Sequence, residues 1–257
     1  MDLHTFLVLL ATGVGGGMMA ALVGGASVIT FPVMLAVGLP PVIATASNLV
    51  AVSGGNFLAA MTDRGNLPPF NRAFVGLIAA SLSGAVIGAV LLLATPTRMF
   101  EQLIPVLLGL ATILFGFARQ ITQWMRARAK ARGEAEWKIS VTSVPLVLPI
   151  SIYGGYFGAG AGTLLLGVLT IATEGDYRRA NVAKNLVSSL NTVAASVWFI
   201  IHGAVSWPQT LSMMLGCLAG GFCGAHLSRR VPQQFMRVLV IFVGALLTAI
   251  FAWKYWF

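Results

Sequence analysis

The sequence has 257 residues, of which 58% are hydrophobic and only 9% are charged, with a mean hydropathy of +0.88. This composition excludes an ordinary soluble domain and indicates an all-α polytopic membrane protein. The net charge of +9 would suit a nucleic-acid partner, but the Lys and Arg residues lie in short clusters between apolar segments. Such clusters are a signal of membrane topology, so we expect a lipid bilayer and no nucleic acid around this chain.

The second half of the chain repeats the first. A shift of 137 positions superposes Gly25 on Gly162 and Asn48 on Asn185, and a shift of 136 continues the match by placing Gly84 on Gly220. Internal duplication is typical of secondary transporters. The sequence therefore predicts three regions: an N-terminal membrane repeat over 1–122, a basic cytoplasmic linker over 123–138 and a C-terminal membrane repeat over 139–257.

Each repeat begins with a long apolar segment that is broken by glycines and continues with three ordinary apolar spans. In chain order, the first half has its broken segment at 3–38 and spans at 41–62, 70–95 and 98–122. The second half has its broken segment at 139–173 and spans at 180–203, 207–228 and 233–257. Since about 20 apolar residues cross a hydrocarbon core, the uncharged runs of 60 and 44 residues at 3–62 and 185–228 must each cross more than once.

The positions of Lys and Arg indicate how often the broken segments cross. If each crosses once, the loops on the two membrane faces carry nine and seven of these residues, which is almost no bias. If each enters and returns as a hairpin, the totals become fourteen and two, the exceptions being Arg98 and Lys254. Because cytoplasmic loops are enriched in Lys and Arg, the sequence predicts two inverted repeats, each a glycine-broken hairpin plus three transmembrane helices, with both termini outside. Ten full spans, or six spans with two re-entrant hairpins, both stay open.

The hairpin tips are rich in glycine in both halves. Gly25 and Ser27 lie at the first tip, and Gly162 and Thr163 lie at the second. One interpretation is close helix packing, which is how we interpret the Gly-x3-Gly patterns at 84–88 and 216–224. For the tips we favour a second interpretation, because both halves break at matched positions: the N-terminal amides of a broken helix bind a buried anion.

The span after each hairpin carries many polar side chains for a membrane interior. They recur at helical spacing on one face, and the candidates for ligand contact are Asn48 and Asn56 in the first half and Lys184, Asn185, Ser188 and Asn191 in the second. Because polar groups in lipid are costly, these faces must point at protein or water, and amide and hydroxyl donors suit a translocated oxyanion. The alternative is a hydrogen-bond network that only holds the halves together.

The comparison of the two halves distinguishes three of these positions. Asn48 and Asn185 are equivalent by the repeat and are the first choice for pseudo-symmetric contacts to a ligand. Lys184 stands where the first half has Ser47, so it adds a positive charge to one half only. It either snorkels to the cytoplasmic surface or attracts anions at the inner mouth.

The sequence contains no pattern that predicts an enzyme. Phosphate-cradle sequences, carboxylate pairs and Ser-His-Asp arrangements are missing, and the spacing of Cys217 and Cys223 matches no metal site. We therefore expect no catalytic residue, metal or cofactor. The acids all lie in loops or at span ends, so no buried proton carrier is evident, and we expect a transported anion to leave electrogenically, driven by the membrane potential. The sequence leaves the coupling of transport open.

The chain resembles the sulfite exporter TauE/SafE family of membrane transporters. The resemblance depends on the glycine-rich breaks, on Ala-Thr-Ala-Ser-Asn-Leu at 44–49 and Val-Ala-Lys-Asn-Leu at 182–186, and on the Gly-x3-Gly spans. It implies a transporter of the bacterial cytoplasmic (inner) membrane that moves sulfite, organosulfonates or carboxylate-like anions. The chain departs from the family pattern at Lys184-Asn185 and at Gly25-Ala26-Ser27, which leaves the particular substrate open.

The sequence as a whole predicts a transporter of a small anion whose site lies at the interface of the two repeats. The alternative is a non-transporting membrane scaffold or assembly subunit. Association into a homo-oligomer, the substrate and the direction of transport all stay open.

Overall fold

The computed structural model describes residues 1–22, 24–131, 144–172, 176–227 and 233–256. Within these ranges the secondary structure consists of ten α-helices and a single 3-10 turn at Arg64–Asn66. The first half contains α1 (Leu3–Leu22), α2 (Ala26–Ala36), α3 (Pro41–Thr62), α4 (Arg72–Ala94) and α5 (Thr97–Ala131). The second half contains α6 (Val144–Tyr156), α7 (Ala161–Ala172), α8 (Tyr177–Ile201), α9 (Trp207–Leu227) and α10 (Gln233–Trp256). The all-α prediction is confirmed.

The six ordinary spans match their helices closely, with one difference in α5. Its span was expected to end at 122, but the helix continues to Ala131. Residues 123–131 consist mainly of Ala, Arg, Lys, Gln, Trp and Met, several of which favour helix, so the helix extends past its apolar part. The predicted linker over 123–138 therefore begins as helix, and its residues 132–138 lie outside the described residues.

Each glycine-broken segment forms two helices, as expected of a hairpin. α1 has 20 residues, or about 30 Å of helix, which is enough to cross a hydrocarbon core. α2 has only 11 residues, or about 16 Å, which is about half of that thickness. The first hairpin thus pairs one helix of full spanning length with one helix of half that length.

Five helices in the described residues are long and apolar enough to cross a membrane: α1, α3, α4, the Thr97–Phe117 part of α5 and the Val238–Trp256 part of α10. Of these, α3 is the most buried in the protein and α10 the least. α8 and α9 have 25 and 21 residues but are more polar. Much of the polar surface of α8 is buried, so α3 and α8 form the centre and α10 lies at the periphery.

Contacts between the two halves repeat when the halves are exchanged. α1 packs on α9 and its counterpart α6 packs on α4; α3 packs on α9 and α8 packs on α4; α5 contacts α7 and α10 contacts α2. α3 and α8 pack on one another. This is the pattern that a two-fold relation between the halves produces, and it supports the repeat. The opposite orientation of the two halves in a membrane stays a prediction.

Two contacts between residues near the ends of different helices favour the hairpin topology over single crossings. Arg178, before the buried part of α8, donates hydrogen bonds of 2.8 and 2.7 Å to Asp63, which follows α3. These bonds raise the pKa of the Arg178 guanidinium. At the other end, the indole nitrogen of Trp256 donates to the carbonyl oxygen of Gln102 over 3.1 Å. Single crossings would place the members of each pair on opposite faces of the membrane, whereas hairpins place them on the same face.

Glycines bring the two pairs of helices between the halves into backbone contact. A Cβ atom on Gly17 of α1 would overlap the carbonyl oxygen of Cys217, and one on Gly220 of α9 would overlap that of Val14. In the equivalent pair, a Cβ atom on Gly88 of α4 would overlap the carbonyl oxygen of Ile152. The interpretation of the Gly-x3-Gly patterns as packing faces is confirmed.

Candidate functional site

The tips of the two hairpins meet in the middle of the protein. Gly24, between α1 and α2, has a φ of +84°, a conformation that favours glycine. A Cβ atom there would lie 2.9 Å from the carbonyl carbon of Gly162 in the first turn of α7. A Cβ atom on Gly162 would in turn lie 3.1 Å from the Cα atom of Gly24. The approach of the two halves at this point therefore depends on two glycines.

This meeting brings together the N-termini of two helices from different halves. α2 begins after Gly25, which provides no side-chain cap, and α7 begins after Gly160, whose φ is +83°. The first amides of a helix have no acceptor within it, and the aligned peptide dipoles place about half a positive charge at each N-terminus. Two such ends side by side favour a bound anion.

A cavity of about 30 Å³ lies against these helix starts. Ala26 and Ser27 of α2 and Ala161 and Gly162 of α7 line it. A water molecule needs about 10–15 Å³ on this measure, so an occupant must be small. The polar side chains that line the cavity are Ser27, Asn56, Ser188, Asn191 and Thr192, and no lining residue is acidic.

The structure places five of the ten predicted site residues at this cavity, namely Ser27, Asn56, Gly162, Ser188 and Asn191. The other five do not line it, namely Gly25, Asn48, Thr163, Lys184 and Asn185. Gly25 and Thr163 are sequence neighbours of lining residues. Gly25 precedes α2, and Thr163 follows Gly162 in the first turn of α7.

Asn48 reaches the cavity only through another side chain. Its amide nitrogen donates to the hydroxyl oxygen of Ser27 over 3.0 Å, and Asn48 itself is fully buried. Its amide oxygen has no partner among the described residues, and the same is true of the amide oxygen of Asn185, its counterpart in the repeat. Asn48 thus positions Ser27 at the start of α2.

Among the polar side chains that line the cavity, those of Asn56 and Ser188 are unpartnered within the described part of the chain. Asn56 lines the cavity with 6% of its surface exposed, and its side chain makes no hydrogen bond within the described part of the chain. The hydroxyl of Ser188 is likewise without a partner there. An unpartnered polar group in a buried position is costly unless a ligand or water satisfies it.

Asn191 belongs to a hydrogen-bond network that holds helices together, which is the alternative interpretation of the polar face. Its amide nitrogen donates to the carbonyl oxygens of Ser81 over 3.1 Å and of Ser151 over 3.3 Å. These bonds tie α8 to α4 and α6. The polar side chains at the cavity therefore include a structural network at Asn191 and unpartnered groups at Asn56 and Ser188.

Lys184 is fully buried and does not reach a surface. Its ammonium donates a 2.8 Å hydrogen bond to the carbonyl oxygen of Ala20, and the amide nitrogen of Asn181 donates to that of Ala21 over 3.1 Å. These two carbonyls belong to the last turn of α1, where the helix has unpaired acceptors and a negative partial charge. Lys184 thus stabilises the end of the helix that leads into the first tip.

The ten predicted site residues do not include several glycines and one hydroxyl residue that line the cavity. Gly158 has a φ of +82°, and a Cβ atom there would lie 2.5 Å from the side chain of Leu49 and 3.5 Å from the hydroxyl of Ser27. Gly154 faces Asn191, whose amide oxygen would lie 2.8 Å from a Cβ atom. Thr192 shares the polar face of α8. The repeat was the available signal for Gly154, because it is the counterpart of Gly17.

Comparison with known proteins yields one family and several relatives. The profile of the family described as "Sulfite exporter TauE/SafE" matches residues 9–251. The chain is 27% identical to the probable membrane transporter protein ORF9 of Sinorhizobium sp, over 94% of this chain and 90% of that protein. It is 22% identical to the probable membrane transporter protein YfcA of Escherichia coli (strain K12), over 91% of this chain and 84% of that protein. A probable membrane transporter protein of Haemophilus influenzae is 21% identical, over 94% and 92% of the two chains. No solved structure matches the chain.

Proposed function

Because the chain belongs to the sulfite exporter TauE/SafE family, we propose that it carries a small anion across the membrane, with sulfite, an organosulfonate or a related oxyanion or carboxylate as substrate. The observation that supports this most directly is the meeting of the N-termini of α2 and α7 at one cavity. Each half supplies one helix start, so a change in the relation of the halves would alter the access to the site. This is the arrangement expected of alternating access in a transporter with internal repeats.

The chemistry of the cavity favours an anion over a cation or a neutral apolar solute. The helix starts present amide donors and positive partial charge, Asn56 and Ser188 add unpartnered polar groups, and the lining contains no carboxylate. Small planar or tetrahedral oxyanions have several acceptor oxygens within a small volume. They therefore fit both the donors and the size of the site.

The experiment that tests the function is a competition assay in proteoliposomes. The purified protein is reconstituted, uptake of radiolabelled sulfite is followed, and excess methanesulfonate, acetate, sulfate or methylammonium is added outside. We expect saturable uptake that at least one of the three anions inhibits and that methylammonium leaves unchanged. Competition by methylammonium and by none of the anions would contradict an anion site. Uptake no faster than in empty liposomes, for sulfite and for each labelled anion, would favour a non-transporting scaffold.

The multi-pass chain is proposed to lie in the bacterial cytoplasmic (inner) membrane, with both termini outside and the 123–138 linker inside. The fourteen to two distribution of Lys and Arg supports this orientation. Single cysteines are placed at Asp2 and at Lys130 in a protein lacking Cys217 and Cys223. The cysteine at position 2 is expected to react with an impermeant thiol reagent in intact cells, and the cysteine at position 130 only in inside-out vesicles. Reaction of both positions from the same face would contradict the orientation.

A further inference from the structure

Lys184 is the one Lys or Arg residue that is fully buried among the side chains that the structure describes. An ammonium has three donors, and the bond to Ala20 uses one of them. Within the described residues the other two have no protein acceptor. A buried charge in this state is costly unless a counter-charge is present.

The helices around Lys184 supply no counter-charge. α8 packs on α1, α3, α4, α6, α7 and the 3-10 turn. The ionisable side chains of these elements and of α8 itself are His4, Arg64, Arg72, Tyr153, Tyr156, Tyr177, Arg178 and Arg179. The hydroxyl of Tyr153 donates to the carbonyl oxygen of Leu107, and that of Tyr156 contacts Thr95. The acid that follows α3, Asp63, is bound to Arg178, and the acid that precedes α8, Asp176, is paired with Arg179. The helices and the turn that pack on α8 therefore contain no carboxylate in their described residues.

The cavity next to Lys184 is a place from which a counter-charge could come. Ala20, whose carbonyl oxygen accepts the bond from Lys184, lines the cavity. Ser188, one helical turn further along α8, lines it too and has an unpartnered hydroxyl. An anion in the cavity and the ammonium of Lys184 would therefore have Ala20 as a common neighbour.

The charge is present in one half only. The position equivalent to Lys184 in the first half is Ser47, whose hydroxyl oxygen accepts a 2.9 Å hydrogen bond from the amide of Ser206. Ser47 is neutral in every state of the protein. Of these two equivalent positions, only the one in the second half carries a group that can gain or lose a proton.

We propose that Lys184 binds a proton when the anion binds and releases it when the anion leaves, so that anion and proton cross the membrane together. This inference rests on the proposed anion transport. With the anion bound, the ammonium has its counter-charge; with the cavity empty, the neutral amine avoids a buried, unpaired charge. The proton passes from water on the loading side to the Lys184 nitrogen, and from that nitrogen to water on the releasing side. Linkage is reciprocal, so protonation strengthens anion binding by the same factor.

Two substitutions separate a proton carrier from a fixed charge. Lys184→Arg keeps a positive charge that does not titrate, and Lys184→Gln keeps a donor for Ala20 without a charge. Lys254→Arg, at the exposed end of α10, is the matched control. Wild-type protein and variants are reconstituted, and the number of protons that enter per sulfite is measured with a trapped pH dye and radiolabelled sulfite. The proton carried by sulfite itself contributes equally to all proteins at the same pH.

We expect wild-type protein and Lys254→Arg to move one more proton per sulfite than Lys184→Arg. Lys184→Gln is expected to bind sulfite at least tenfold more weakly and, like Lys184→Arg, to lose the extra proton. Equal proton counts in wild-type protein and in either folded Lys184 variant would overturn the proposal while leaving anion transport intact. Wild-type affinity for sulfite in a folded Lys184→Gln protein would also overturn it, since the charge at position 184 would then not be coupled to anion binding. Absence of transport by wild-type protein would overturn both this proposal and the proposed function.

Discussion

Asn56→Ala is expected to lower sulfite transport at least tenfold while leaving the melting temperature of the protein in detergent unchanged. The side chain lines the cavity and makes no hydrogen bond within the described part of the chain, so the folded protein loses no internal bond. A hydrogen bond to a charged ligand contributes about 1.5–3 kcal/mol, and about 1.4 kcal/mol corresponds to a factor of ten. The measurement is the initial rate of sulfite uptake in proteoliposomes, together with a thermal melt.

Asn66→Ala is the matched control for this change. Asn66 lies in the 3-10 turn, where its amide nitrogen donates to Asp63 over 2.8 Å, away from the cavity. It should transport at the wild-type rate. Asn48→Ala is expected to reduce transport less than Asn56→Ala, because Asn48 acts through Ser27. If Asn56→Ala folds and transports at full rate, the polar face of α3 serves packing and the proposed site is wrong.

Gly17→Val is expected to prevent α1 and α9 from packing and to leave little folded protein. A Cβ atom at position 17 would overlap the carbonyl oxygen of Cys217 and would lie 2.8 Å from the amide nitrogen of Gly221. These atoms belong to the backbone, so relief requires the two helices to move apart. Overpacking costs about 1–3 kcal/mol where side chains can adjust, and separating two backbones costs more.

Gly15→Val provides a control on the same helix. A Cβ atom at position 15 meets nothing within 4 Å, while the change in helix propensity is the same at both positions. Size-exclusion chromatography and thermal melts in detergent should show a monodisperse Gly15→Val protein and an aggregated or strongly destabilised Gly17→Val protein. Similar melting temperatures for the two variants would mean that the contact between α1 and α9 is looser than the structure indicates.

The helices could be predicted well where an apolar run has clear limits. The span predicted at 41–62 is α3, because prolines precede its apolar run and Asp63 follows it. The end of α5 was missed, since apolarity marks the edge of the membrane and gives no information about a helix that continues into water. The length of α2 could not be derived either, because the packing of the tips decides where it begins.

The site could be predicted as a face and only partly as individual residues. Helical spacing identified the polar faces of α3 and α8, but it does not reveal which residue on a face meets the cavity. Asn48 and Asn56 lie on the same helix, yet Asn48 is bound to Ser27 and Asn56 is unpartnered. Lys184 is bound to the last turn of α1, which ends at Leu22. This contact joins the two halves, and the pattern of residues along a single sequence does not reveal which helix ends meet.

The central claim is that a small anion crosses the membrane through the cavity where α2 and α7 begin. The most direct test measures sulfite uptake by wild-type and Asn56→Ala proteins, reconstituted side by side at equal protein density, with empty liposomes as the baseline. The account predicts saturable uptake by the wild-type protein and a rate at least tenfold lower for Asn56→Ala. Equal uptake by the two proteins would contradict the site, and no uptake above the baseline by either protein would contradict sulfite transport.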